Sequence, residues 1–198
     1  MSGLSAAGLT AFPSATFRAW IAKCSPPTFA AFLLELGAID TGGGPEAGAH
    51  SAGRGGPLSQ FDNEVADAIA KFGPRVDAAR ARSIWQAARA VPHTGSPQWF
   101  HGDFAVGNLL TKEGRLSAVI DFGCAGVGDP SCDLVIAWTY LDPSARATFR
   151  SAVGVDDEMW SRGKGWALWK ALITVGDPTH GEVAAFTLQQ LGVSVDGV

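Results

Sequence analysis

The stretch His-Gly-Asp-Phe-Ala-Val-Gly-Asn occupies residues 101–108, and Val-Ile-Asp-Phe-Gly follows at residues 119–123. Together they supply Asp103, Asn108 and Asp121, in that order. In the protein-kinase template, an Asp accepts the proton of the acceptor hydroxyl, an Asn five residues later binds one Mg²⁺, and the Asp of Asp-Phe-Gly binds the metals that bridge the phosphates. The spacing therefore predicts phosphoryl transfer, with Asp103 as the base and the other two residues as Mg²⁺ ligands.

A β-hairpin is predicted between the two Mg²⁺ ligands. Residues 108–111 and 116–120 have the pattern of short strands, and Lys-Glu-Gly-Arg at 112–115 is a turn sequence. Because Asn108 and Asp121 are almost equally far from the turn, we expect them to flank the open end of the hairpin. Such a pair suits Mg²⁺, which usually takes only one or two protein side chains besides phosphate and water.

Each of these residues also has a purely structural interpretation. Asp103 could stabilise a turn, Asn108 could tolerate a left-handed backbone after Gly107, and Asp121 could be the polar end of a strand. The ordered combination favours a functional site, because metal ligands and perturbed acids cluster at such sites. We interpret His101 as a scaffold histidine that hydrogen-bonds the loop.

The segment from residue 99 to about residue 173 resembles the C-terminal lobe of the aminoglycoside phosphotransferase family, which is related to the protein kinases. Three motifs carry the resemblance: His-Gly-Asp-x-x-x-x-Asn at 101–108, Ile-Asp-Phe-Gly at 120–123, and Gly-Asp-Pro-x-x-Asp-Leu at 128–134. Weaker similarity extends back to residues 29–40 and 54–58, where Gly37 replaces an expected His.

The resemblance implies an α+β, predominantly α-helical fold over residues 27–198, the C-terminal lobe of a protein-kinase-like enzyme with a small catalytic β-hairpin. It implies ATP or GTP as donor, Mg²⁺ as cofactor, and a small-molecule hydroxyl as acceptor, with an aminoglycoside-type antibiotic favoured. Macrolides, choline and homoserine are acceptors of related lobes, and the fold does not choose among them. Gly102, Asp129 and Asp133 are expected to support the catalytic loop, and Asp129 before Pro130 is also a helix N-cap signal.

Three acidic residues, Asp156, Asp157 and Glu158, begin a predicted helix. Acids in a first helical turn are stabilised by the helix dipole without any ligand. If the acceptor is an aminoglycoside, these carboxylates are also candidates for binding its ammonium groups. Both interpretations stay open at this point.

Composition limits the classes of function. A chain of 198 residues with 46% hydrophobic content forms one globular domain, or two at most. A net charge of −4 argues against a nucleic-acid or anionic-membrane partner, and no apolar run is long enough to span a bilayer. The three cysteines include no Cys-x-x-Cys pair, which favours reduced thiols and a cytoplasmic location.

A kinase-like enzyme also needs a glycine-rich lobe with a Lys for the phosphates and a Glu that positions it. Residues 1–26 contain Arg18 and Lys23 but no Glu, so we expect only a poorly defined leader there. The chain therefore resembles a truncated enzyme. The alternative is a catalytically inactive fragment that acts as a binding module or needs a partner lobe. A metal-dependent phosphoesterase is disfavoured, because it needs several more clustered His and Asp ligands.

Helices are predicted before the hairpin, at 28–39, 61–72 and 75–90, from the helical spacing of apolar residues and the Ala-rich composition of the last segment. Residues 41–60, which hold much of the Gly and Pro, are predicted to form a long loop. Within that loop Arg54 could contact an anion, but we expect it to face solvent. After Asp121 the chain is predicted to be helical to its end.

Overall fold

A computed structural model describes residues 26–112 and 115–194. The helices within these ranges are α1 (Pro26–Gly37), α2 (Asp62–Phe72), α3 (Ala78–Arg89), α4 (Ile136–Thr139), α5 (Pro143–Val153), α6 (Asp157–Thr174) and α7 (Gly181–Gln190). The strands are β1 (Gln98–Phe100), β2 (Leu109–Lys112), β3 (Arg115–Val119) and β4 (Gly126–Gly128). The described chain is thus α+β and mostly helical, as predicted, and nearly all of the expected leader lies outside the described residues.

The three helices predicted before the hairpin are confirmed as α1, α2 and α3. The last begins three residues later than predicted because residues 73–75 form a separate 3₁₀ turn. Asp77 then caps α3, its carboxylate accepting a hydrogen bond from the Arg80 N–H at 2.9 Å. No helix in the described part of the chain is long and apolar enough to cross a membrane.

Helix α6 is the centre of the fold. It packs against α3, α7 and a 3₁₀ helix at Pro130–Val135. A helix surrounded on most sides must be apolar around most of its circumference. Its buried apolar side chains are Trp160, Trp166, Ala167, Leu168, Trp169, Ala171 and Leu172. The packing of the core therefore fixes the position of each side chain on α6.

The predicted catalytic hairpin is present as the antiparallel pair β2–β3, in which Leu109 lies opposite Val119. The Ile120 N–H donates to the Asn108 carbonyl at 2.9 Å and extends the pairing one step beyond the strands. The centre of the predicted turn, residues 113 and 114, lies outside the described residues.

A second strand pair corrects the prediction that the chain is helical after Asp121. Strand β4 pairs antiparallel with β1, so that Phe100 lies opposite Gly126 and Gln98 opposite Gly128. Three residues, two of them glycine, are too few to show the alternation that identifies a strand. The strand exists because of its partner, which is distant in the sequence.

A buried ion pair joins the end of β4 to α6. The Arg162 Nε lies 2.7 Å from Asp129 Oδ2, with side-chain exposures of 9% and 5%. Asp129 also caps the following 3₁₀ helix, because its carboxylate accepts hydrogen bonds from the Ser131 N–H at 3.0 Å and the Ser131 hydroxyl at 2.8 Å. The carboxylate is therefore satisfied by groups from two elements.

Replacing Arg162→Met should lower the free energy of unfolding by about 3–5 kcal/mol, because the buried charge of Asp129 loses its cation. The matched control is Arg89→Met, which breaks the exposed pair with Asp62 and should cost less than about 1 kcal/mol. Urea unfolding of both variants measures the difference. Equal, small losses would contradict a stabilising role for the buried pair.

Candidate active site

The loop at residues 101–108 is anchored by the carboxylate of Asp133. Asp133 Oδ2 accepts a hydrogen bond from the His101 N–H at 2.6 Å, and Oδ1 accepts one from the Gly102 N–H at 2.8 Å. All three residues are buried. Burial raises the pKa of Asp133 to about 7, although the two N–H donors act in the opposite direction. The 3₁₀ helix that carries Asp133 thus determines where the loop begins.

Gly102 is required at its position for two reasons. Its φ of +81° lies in the left-handed region, and a Cβ there would be 2.4 Å from the Cys124 carbonyl oxygen. The absence of a side chain lets the loop lie directly against the segment that follows Asp121.

His101 links the loop to the end of β3. Its Nδ1 accepts a hydrogen bond from the Asp103 N–H at 3.2 Å, so Nε2 carries the proton and donates to the Ile120 carbonyl at 3.0 Å. Burial lowers the pKa of His101, which favours the neutral ring that these two bonds require. The His101 ring thus connects the His-Gly-Asp loop to the Ile-Asp-Phe-Gly segment, the two parts of the motif that predicts phosphoryl transfer.

Asp103 is bound by a cation that the sequence analysis missed. Lys170 Nζ, from α6, lies 2.5 Å from Asp103 Oδ1, and the Asn108 amide donates to Asp103 Oδ2 at 3.2 Å and to its carbonyl at 2.9 Å. Burial by itself would raise the pKa of Asp103. Lys170, Arg54 and Asn108 together outweigh burial, so this pKa lies below its usual range. Asp103 is therefore an ionised carboxylate, with 34% of its side chain exposed to an incoming hydroxyl.

The two predicted Mg²⁺ ligands lie at one end of the hairpin. Asp121 is an exposed residue with a left-handed φ of 63°, a conformation that is uncommon for non-glycine residues and is enriched at functional sites. Asn108 uses its amide nitrogen as a donor to Asp103, which leaves its amide oxygen for a cation. In the described ranges, no three His, Cys, Asp or Glu side chains are arranged to hold a metal. One amide and one carboxylate oxygen fit Mg²⁺, which completes its shell with phosphate and water.

Arg54 does not face solvent, contrary to expectation. It is partly buried, its guanidinium lies 5.7 Å from the ring centre of Trp169, and it contacts the Ser51 carbonyl at 3.4 Å and Cys124 Sγ at 3.7 Å. Its loop is held against the end of β4 because the Asp129 N–H donates to the Gly55 carbonyl at 2.8 Å. No local sequence pattern reveals this docking.

The structure does not bring the three acids at the start of α6 to the catalytic loop. Asp156 caps the helix by accepting the Met159 N–H at 2.7 Å, and Asp157 pairs with Arg150. Lys170, which contacts Asp103, lies about 20 Å further along the helix at 1.5 Å per residue. Binding of substrate ammonium groups by Asp156, Asp157 and Glu158 stays a prediction.

The sequence matches the model of the phosphotransferase enzyme family over residues 27–169, and the chain belongs to this family. It is 36% identical over 81 residues to an aminoglycoside 3'-phosphotransferase of Escherichia coli, covering 39% of this chain and 30% of the relative. It is 29% identical over 103 residues to one of Salmonella typhimurium, covering 50% and 38%. The chain thus spans between 30% and 38% of the length of these curated relatives.

Solved structures confirm the predicted kinase-like phosphotransferase fold. The macrolide 2'-phosphotransferase MphH from Brachybacterium faecium aligns with a TM-score of 0.52 at 19% identity, over 85% of this chain and 60% of that one. A thermostable mutant of the aminoglycoside phosphotransferase APH(4)-Ia aligns with a TM-score of 0.50 at 17% identity, over 91% and 66%.

Asp133 should make stability depend on pH. Its carboxyl ionises at about pH 4 in an unfolded chain but at about 7 in the folded protein. Between these values the folded state binds the extra proton, so stability present at about pH 4 is lost as the pH rises towards about 7. Asp133→Asn should abolish this slope and cost about 1–3 kcal/mol, because the amide nitrogen cannot accept a backbone N–H.

Urea unfolding of both proteins across this pH range measures the effect. Subtracting the variant's curve from that of the parent chain removes the titration of other groups. A difference that does not change with pH would contradict the elevated pKa of Asp133.

Proposed function

We propose that this chain supplies the acceptor and metal side of an enzyme that transfers the γ-phosphoryl group of ATP or GTP to a hydroxyl of a small molecule. The supporting observation is the arrangement around Asp103: an ionised, partly exposed carboxylate, hydrogen-bonded to Asn108 beside the hairpin end that carries Asp121. The curated relatives are aminoglycoside 3'-phosphotransferases, so resemblance favours an aminoglycoside as the acceptor. A structural neighbour is a macrolide 2'-phosphotransferase, so macrolides are the second candidate class of acceptor.

In this proposal Asp103 orients the acceptor hydroxyl and takes its proton as the new bond to phosphorus forms and the bond to the departing nucleoside diphosphate breaks. His101 and Asp133 hold the loop rigid, and Lys170 and Asn108 hold the carboxylate. Asn108 and Asp121 would hold Mg²⁺, which, when bound, neutralises charge on the phosphate oxygens.

Asp103→Asn should lower kcat/KM by about 10²–10⁴-fold, the usual contribution of a positioned base, because an amide cannot accept the proton. The control is Asp67→Asn, which changes an exposed acid on α2. Calorimetry with Mg-ATP, followed by coupled assays of nucleoside diphosphate release with aminoglycoside and macrolide panels, provides the readout. No binding at millimolar Mg-ATP would contradict phosphoryl transfer by this chain alone and leave a binding module, or a chain that needs a partner lobe.

Asp121→Asn should raise the Mg²⁺ concentration needed for half-maximal activity by at least about tenfold, or about 1.4 kcal/mol of binding free energy. The physical reason is the loss of the charged oxygen ligand. Activity measured against Mg²⁺ concentration tests this expectation, with Asp67→Asn again as the control. An unchanged requirement would remove Asp121 from the metal site.

A further inference from the structure

Lys170 links the proposed base to the core of the fold. Its neighbours on α6, Trp169 and Ala171, are buried, so the backbone of Lys170 is held in the core. Its side chain is 27% exposed and extends to Asp103, where Nζ lies 2.5 Å from Oδ1. In the described ranges, no other basic side chain lies within ion-pair distance of this carboxylate. The ion pair therefore connects the side chain of Asp103 to the packed helix.

The Asn108 amide has one orientation that fits its surroundings. Its nitrogen donates to the Asp103 carbonyl at 2.9 Å and to Asp103 Oδ2 at 3.2 Å. Both partners are acceptors, so turning the amide over would place its oxygen against two other oxygens and lose both hydrogen bonds. The amide oxygen, which is the atom that would bind Mg²⁺, is therefore directed away from Asp103 as long as the carboxylate stays in place.

The carboxylate of Asp103 is held from two sides. Lys170 contacts Oδ1 and Asn108 contacts Oδ2. Asn108 lies on the same loop, five residues from Asp103, so it cannot fix the carboxylate relative to the core. Arg54, the other nearby cation, contacts a backbone carbonyl and a cysteine sulfur instead. Loss of Lys170 would therefore free the Asp103 side chain to rotate and would remove one of the two acceptors of the Asn108 amide.

We propose that Lys170 is a positioning residue for both Asp103 and Asn108, so that one cation from α6 sets the orientation of the proposed base and of a proposed Mg²⁺ ligand. The inference rests on the proposed function for the roles of those two residues. A carboxylate that rotates away from the acceptor hydroxyl slows the transfer, because the reaction requires the reacting atoms to be close together and aligned. Contacts elsewhere on the acceptor are unaffected, so acceptor binding should change little.

The side-chain amide of Asn108 reports this arrangement without turnover. The chain has two asparagines, and Asn63 is exposed on α2, so ¹⁵N labelling of asparagine gives a restrained amide and an exposed one as internal reference. Asn63→Ser identifies the two signals. In the parent chain, the ¹⁵N–¹H nuclear Overhauser effect of the Asn108 amide should be higher than that of Asn63. Lys170→Met and Lys170→Gln should lower it towards the Asn63 value, whereas Lys170→Arg should preserve it because the charge is kept.

The matched control is Lys164→Met, which removes another half-buried lysine of the same helix and should leave the Asn108 amide as in the parent chain. An Asn108 amide that is as mobile as Asn63 in the parent chain would overturn the proposal. An amide that stays restrained in both neutral variants of Lys170 would overturn it too. Equal mobility in Lys164→Met would assign the effect to a general loosening of α6 and would also overturn it.

Kinetics test the consequence for transfer. At saturating Mg-ATP, Lys170→Met should lower kcat by about 10–100-fold, the usual cost of losing a group that orients a ligand residue. The acceptor KM should change little, and Lys170→Arg should recover most of kcat. A loss carried by KM alone, or no recovery in the Arg variant, would overturn a positioning role. Absence of turnover in the parent chain would contradict the proposed function alone, and the amide measurements would still decide whether Lys170 positions Asp103 and Asn108.

Discussion

The two hydrogen bonds from the backbone of His101 and Gly102 to the Asp133 carboxylate are the constraint on which the candidate active site depends. They attach the loop to a 3₁₀ helix, and that helix packs against α6. The same α6 presents Lys170 to Asp103. Asp103 and its cation are therefore positioned by one packed unit rather than by two independent surface segments, which is the support that the proposed base would require.

The pair formed by Lys170 and Asp103 differs from the surface ion pairs of this chain. An exposed pair such as Arg89 with Asp62 contributes little to stability because water screens it. Around Asp103, partial burial weakens that screening, and burial and the nearby cations act on the carboxylate in opposite directions. The outcome is an ionised acid that is still accessible from solvent. An ionised, accessible carboxylate can orient a hydroxyl by accepting its hydrogen bond.

Local patterns predicted the helices before the hairpin and the hairpin itself, because apolar spacing and turn residues act over a few neighbouring positions. They failed for β4, whose three residues form a strand only opposite β1. They also failed for Arg54, whose loop is held by the hydrogen bond from the Asp129 N–H to the Gly55 carbonyl and whose guanidinium contacts Cys124 Sγ. Both failures concern contacts between segments far apart in the chain.

The sequence by itself determined which residues form the motif: the spacing of Asp103, Asn108 and Asp121 is a local property, set by one loop and one hairpin. Only the tertiary structure decided what surrounds the base. Lys170 lies 67 residues from Asp103. Trp166 of the same helix and Arg54 of a distant loop line a small cavity together with Lys170. Their meeting depends on how α6 packs in the core. No periodicity along the chain encodes that packing, and the packing sets the charges around Asp103.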